Sequence, residues 1–214
     1  MSRAATEPGR DCALCPRLEG FRQEWRRREP IWFNAPVPSF GPQAARLLIV
    51  GLAPGLQGAN RTGRPFTGDH AGLLLYDTLI SFGFAKGSYG ERPDDGLELV
   101  DARITNAVRC VPPENKPTTI EIATCREFLK GTIAEMPKLR AMVALGRIAH
   151  DTAVVALEGR RSEVPFGHAA AREIGRVRLF DSYHCSRYNT NTGVLTTEMF
   201  RGVFAQVREF LQAS

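Results

Sequence analysis

The sequence predicts an α/β protein: a central four-stranded parallel sheet flanked by helices. Three observations lead there. Four short apolar runs, residues 46–51, 103–108, 141–146 and 176–184, have the length and composition of strands buried on both faces. Helical stretches separate them, the alternation that parallel strands require for their crossovers. Polar and glycine-rich residues gather in three loops that leave strand ends, 51–69, 106–117 and 184–195, where open α/β sheets hold their ligands.

Taken in order, residues 17–29 read as a short basic helix with an apolar side from Leu18, Phe21 and Trp25. Pro30, Pro36, Pro38 and Pro42 then keep the chain extended. The first strand, RLLIVG at 46–51, runs into the loop GLAPGLQGANRTGRPFTGD. Residues 70–83 are helical and closed by Gly83. A polar, turn-rich segment (85–98) precedes the second strand. Pro112, Pro113 and Pro117 break the chain before a helix at 118–135, where Thr118 and Glu121 have capping-box spacing. The third strand, a helix at 147–158, the fourth strand and a last helix from Thr196 to Leu211 complete the chain.

The length of 214 residues suits one domain, here 1–214, and 43% hydrophobic residues exclude general disorder. No apolar run reaches the ~18 residues of a membrane span. The N-terminus has no apolar stretch after its first arginine, so a soluble intracellular protein without a secretory leader is expected. The net charge is +5, carried by 28 Lys and Arg of which only four are Lys. Arg suits bidentate phosphate contacts, so the balance hints at a polyanionic partner.

Reduced intracellular thiols are free, catalytic or metal-bound. Cys12 and Cys15 form a C-x2-C pair, and Cys110 and Cys125 follow far downstream. Four thiolates suit a tetrahedral zinc site or an iron–sulfur cluster, and spacing alone does not choose. Cys185, beside His184, is the odd one out and is read as incidental.

The residues Gly51, Leu52, Ala53, Pro54 and Gly55 follow a strand, so their amides are placed to meet an anion, but the stretch lacks both G-x-G-x-x-G and G-K-[ST]. Downstream lie Asn60, Arg61, Thr62, Arg64, Phe66 and Asp69. Phe66 offers a stacking ring for a planar heterocycle, with core packing as its competing role. Asp69 offers a carboxylate, with helix capping as its competing role. Asn106, ending the second strand, carries a donor and an acceptor suited to a base edge. His184, Ser186, Arg187 and Asn189 follow the fourth strand, where an imidazole suits gripping a ligand oxygen or phosphate. His70, His150 and His168 are read as structural.

Taken together, GLAPG with NRTGRPFTGD, then TNAVRC, then H-x-S ahead of NTGVLT, with C-x2-C at the start, resembles the uracil-DNA glycosylase superfamily. The branch most similar is family 5, the B-type iron–sulfur enzymes, over about residues 12–200. The resemblance implies a base-excision-repair hydrolase. It would cleave the N-glycosidic bond of a flipped deaminated base in DNA and leave an abasic site. Uracil, hypoxanthine, hydroxymethyluracil and ethenocytosine fall within that scope. It also implies a [4Fe-4S] cluster on Cys12, Cys15, Cys110 and Cys125, bound by an N-terminal segment at about 10–30. His184 would donate to the departing O2, Asn106 would read the base edge, Phe66 would stack, and the Gly51–Gly55 segment would add backbone contacts. Asp69 would position water or stabilise the sugar cation, because Leu52 stands where other branches carry a carboxylate or amide. Arg61, Arg64, Ser186, Arg187 and Asn189 would face DNA. A monomer in the cytoplasm, with access to the nucleoid of a bacterium or archaeon, is expected.

The chain departs from the family pattern at Cys185, where the motif has proline, and at Val194, where it has arginine. It also lacks the extra basic loop of the branch that traps DNA covalently, so turnover is expected. The alternative is a non-catalytic iron–sulfur module that binds damaged DNA.

Overall fold

The computed structural model describes residues 7–213. Residues 1–6 of the N-terminal stretch read above, and Ser214, lie outside the described residues. Four parallel strands form as expected: β1 (Leu47–Gly51), β4 (Ala102–Asn106), β5 (Ala141–Leu145) and β7 (Val177–Ser182), in the order β4-β1-β5-β7. A fifth strand, β6 (Ala171–Ile174), joins the edge antiparallel to β7. Its AREI sequence is half exposed and carries no apolar run, and a turn through Gly175 at φ +58° joins it to Val177. A two-stranded ribbon, β2 (Ala85–Lys86) with β3 (Glu98–Leu99), spans the segment read as turn-rich.

β1 is buried at every position because both faces are covered. Alternate side chains point to opposite faces. Leu47 and Ile49 pack with Leu75 and Leu79 of α3 (His70–Ser81) and with Phe200 and Phe204 of α7 (Thr197–Gln212). Leu48 and Val50 pack with Leu129 of α4 (Thr119–Ala134) and Ala153 of α5 (Arg147–Ala156). Each such side chain contributes roughly 1.5–3 kcal/mol on burial. The capping box of α4 forms: Glu121 N–H donates to Thr118 Oγ1 at 3.2 Å, and Thr118 N–H donates to Glu121 Oε2 at 2.7 Å.

The first helix, α1 (Pro16–Arg28), buries Leu18 and Arg22, while Phe21 and Trp25 are half-buried. Trp25 stacks on Trp32 at 5.5 Å. Two short helices lie in the loops, α2 (Ala59–Thr62) and α6 (Arg187–Asn191). His150 is structural: its ring meets Asp181 Oδ1 at 2.7 Å and the Val164 carbonyl at 2.8 Å. Among the described residues no helix is long and apolar enough to cross a membrane.

Candidate active site and cysteine centre

Parallel pairing places the first two site segments side by side. Gly51 pairs with Asn106 at the carboxyl ends of β1 and β4. The pairing continues outward, Ala107 N–H donating to the Gly51 carbonyl and Val108 N–H to that of Leu52, both at 2.9 Å. Asn106 is buried, and its Oδ1 has no hydrogen-bond partner. An unpaired buried amide oxygen is costly unless a ligand donates to it.

Phe66 sits at φ +55°, a left-handed conformation that a phenylalanine seldom adopts. Tyr89 Oη holds it there by donating to the Phe66 carbonyl at 3.0 Å, and Tyr76 Oη donates to the neighbouring Pro65 carbonyl at 2.6 Å. The Phe66 ring lies 6.0 Å from that of His184, tilted by 28°. Gly51 backs both Phe66 and Asn106: a Cβ there would stand 2.6 Å from Phe66 Cζ and would also collide with Asn106 Oδ1.

Asp69 occupies the N-cap position of α3, yet its side chain makes no capping bond. The glycine loop wraps it instead. A Cβ at Gly58 or Gly55 would meet Asp69 Oδ2 at 2.5 or 3.0 Å, which explains both glycines. Asp69 Oδ1 is buried without a partner. Burial pushes the carboxyl up, and the amides of Gly72 and Ala71 offset part of this.

His184 follows β7. Burial pushes its imidazole down to about 4, so the ring is neutral at pH 7. Its loop is tied at several points. Asn189 Nδ2 donates to the His184 carbonyl at 2.8 Å, and Ser186 caps α6. His70 Nε2 meets Thr190 Oγ1 at 3.1 Å, linking α3 to that loop. Cys185 packs in the core with its thiol turned to the Ala71 carbonyl.

These groups border one cavity of about 510 Å³. Leu52, Ala53, Pro54, Gly55, Phe66, Asp69, Asn106, His184, Ser186 and Arg187 line it, so predicted residues from all three loops converge there, while Asn189 stands outside the lining. Gly51 lies behind it. His70, read from the sequence as structural, also lines the cavity, as does Asn115, which was not anticipated. Asn115 sits at φ +57° between Pro113 and Pro117, a conformation asparagine tolerates better than most residues, and that is the signal available in the sequence.

Two arginines stand elsewhere. Arg64 is a correction: its side chain is 5% exposed and forks onto Asp95 at 2.8 and 2.7 Å, beneath Phe40, Tyr76 and Tyr89. It braces the loop from inside and does not face DNA. Arg61 is exposed but borders a separate shallow cavity with Ile31, Phe33 and Arg92.

The four N-terminal and central cysteines also converge. Cys110 and Cys125 are buried with Leu18, Val108 and Phe128, and Cys12 and Cys15 pack against them. All four line one small cavity. Among the described residues no three His, Cys, Asp or Glu side chains form a group placed to hold a single metal ion. Burial pushes the thiols of Cys110 and Cys125 up to about 11 and 12. Two donors reach the sulfurs: Arg22 Nη1 to Cys110 Sγ at 3.2 Å, and the Arg109 amide to Cys125 Sγ at 3.3 Å.

An α/β sheet whose strand ends direct an amide, an aromatic ring, a neutral imidazole and a buried carboxylate into one cleft places the chain in the class of proteins with a concave site at the carboxyl ends of their strands. The family model "Uracil DNA glycosylase superfamily" matches residues 38–208. The chain belongs to the uracil-DNA glycosylase superfamily, in its type-5 branch. It is 45% identical over 204 residues to the type-5 uracil-DNA glycosylase of Thermus thermophilus, covering 92% of each chain. It is 41% identical over 192 residues to that of Pyrobaculum aerophilum, covering 88% of this chain and 84% of the relative. The type-5 enzyme of Mycobacterium bovis is 40% identical over 208 residues, which is 92% of this chain and 77% of the relative.

Proposed function

We propose that this protein hydrolyses the N-glycosidic bond of deoxyuridine flipped out of DNA, releasing uracil and leaving an abasic site. The observation that carries the reading is the single cavity shared by Asn106, Phe66, His184 and Asp69. The flipped base stacks on Phe66. The unpaired Asn106 Oδ1 accepts from the ring N3–H, and the amide NH2 donates to O4. As the C1′–N1 bond breaks, its electron pair passes to the base and negative charge grows on O2. The neutral His184 donates an N–H there, stabilising charge that exists only in the transition state. Positive character grows on the sugar. The Asp69 carboxylate, with one oxygen unpartnered, stabilises it, orients the water that bonds to C1′ and takes that water's proton, while uracil departs as its anion. Extruding the nucleotide costs a few kcal/mol of lost stacking. Phosphate contacts from Arg187, Ser186, Asn189 and Arg61 offset that cost. The resemblance to the type-5 branch extends the proposal to hypoxanthine, hydroxymethyluracil and ethenocytosine.

The donor set of Cys12, Cys15, Cys110 and Cys125 fits a [4Fe-4S] cluster. Four thiols line one cavity, the donor type and number that such a cluster requires. When bound, the cluster supplies four Fe–S bonds that cross-link the N-terminal segment to the loop after β4 and to α4. The protein acts as one folded unit and as a monomer on DNA.

The test is strand cleavage. Purified protein is incubated with labelled duplexes carrying uracil, hypoxanthine or ethenocytosine, then treated with alkali. Alkali-labile breaks at uracil are expected, and their absence on every substrate refutes the reading.

A further inference from the structure

Among the described residues, Arg22 and Arg109 are the most deeply buried arginines, each 1% exposed, and they differ in one respect. Arg109 is matched by a carboxylate, Glu7 Oε2, at 2.6 Å, and its second nitrogen donates to Thr132. Arg22, 1% exposed, has no carboxylate within ion-pair distance among the described residues. Asp11, a carboxylate that feels its charge, is bonded to Arg26. Arg22 directs one nitrogen at Cys110 Sγ and the other at the Cys12 carbonyl, 2.8 Å away, and its Nε is unpartnered. A buried guanidinium without a counter-charge is strongly destabilising. Such a residue persists where an anion occupies the space its donors face.

We infer that Arg22 is the counter-ion of the anionic metal–sulfur centre held by Cys12, Cys15, Cys110 and Cys125, clamping two of its ligand segments together and setting how readily it accepts an electron. The inference rests on the reading that these four cysteines hold a [4Fe-4S] cluster. Four thiolates around an oxidised cubane leave a net dianion, and one added electron makes it a trianion. A fixed cation at the sulfur stabilises both and the trianion more, so it raises the reduction potential. The fork of Arg explains the residue type. It reaches a sulfur and a carbonyl in separate segments at once, and the point charge of Lys cannot hold both in one plane. The contact joins α1, the segment carrying Cys12 and the loop carrying Cys110.

The test uses the full chain purified without oxygen, as wild type, Arg22→Lys and Arg22→Gln. Iron per protein is measured before and after exposure to air, and the cluster potential is measured by film voltammetry. Arg22→Gln should lose iron faster in air. Its potential should fall by at least a tenfold change in the oxidised-to-reduced ratio, about 59 mV for one electron. Arg22→Lys should lie between Gln and wild type. An unshifted potential with full iron retention in Arg22→Gln overturns the inference while leaving the cluster reading intact. Wild-type protein without iron overturns both. Should Arg22→Gln fail to fold, the wild type decides by itself. Protein labelled with 15N only in its guanidinium groups is reduced and examined by pulsed electron paramagnetic resonance. A nitrogen coupling is expected, because the Arg109 guanidinium faces Glu7 and Thr132 and leaves Arg22 as the source. Absence of that coupling refutes the contact.

Discussion

Replacing Gly51 by alanine tests the catalytic geometry with a single methyl group. The new Cβ would stand 2.6 Å from Phe66 Cζ and 2.9 Å from Cε2, and would also press on Asn106 Oδ1. Ordinary contact begins near 3.4 Å, so the ring must retreat by roughly 0.8 Å and the amide by about 1 Å. Neither has a free direction. Phe66 is held by its strained backbone and by Tyr89, and Asn106 is held by strand pairing with Gly51 itself. Overpacking of this kind costs about 1–3 kcal/mol of stability. The catalytic loss is larger, because misplacement by about 1 Å costs on the order of 10²-fold in rate. Single-turnover cleavage of a uracil duplex reads the rate, and thermal melting reads the stability. The expected result is about 100-fold slower cleavage in a protein that still folds and still binds an abasic duplex. Cleavage within threefold of wild type, in a folded variant, would refute the claim that Gly51 sets the positions of Asn106 and Phe66.

Asp69→Asn should lower single-turnover cleavage by about 10²–10⁴-fold while duplex binding stays within a few-fold, and equal losses of both would assign Asp69 to binding. Arg64→Ala should cost about 3–5 kcal/mol, because Asp95 is left charged in a nearly closed site, while the salt dependence of DNA binding stays unchanged; a shallower salt slope would return Arg64 to the DNA surface. The same guanidinium holds the Asp95 carboxyl well below the usual range, so this pair stabilises the fold above about pH 4 and that contribution is lost as acid protonates the carboxylate. His184, pushed down to about 4 by burial, binds fewer protons in the native state than in the unfolded one. Its contribution to stability is therefore complete above about pH 6.5 and is lost as pH falls toward 4; an NMR titration midpoint near 6.5 would contradict the buried, neutral imidazole.

Local features of the sequence account for most of the frame. Continuous apolar runs such as LLIV at 47–50 declare strands buried on both faces, and Thr118 with Glu121 marks a helix start that the structure reproduces bond for bond. The edge strand β6 was not legible, because its pairing with β7 comes from a turn through Gly175 and carries no apolar run. Arg64 was misplaced for a related reason. A basic residue in a glycine-rich loop looks solvent-facing until Asp95, 31 positions away, folds over it.

What the sequence determined by itself, therefore, is the α/β class, the three loops that hold the chemistry and the residue types those loops carry, because strand length, capping and glycine placement are local properties. Only the tertiary structure decided which of those residues face one another. It placed Phe66 and Asn106 against Gly51, packed the Asp69 carboxyl against Gly55 and Gly58, brought Asn115 to the cavity, and set Arg22 on a cysteine 88 positions distant. These outcomes depend on burial and on contacts between distant segments, which are properties of the packed chain and of no window within it.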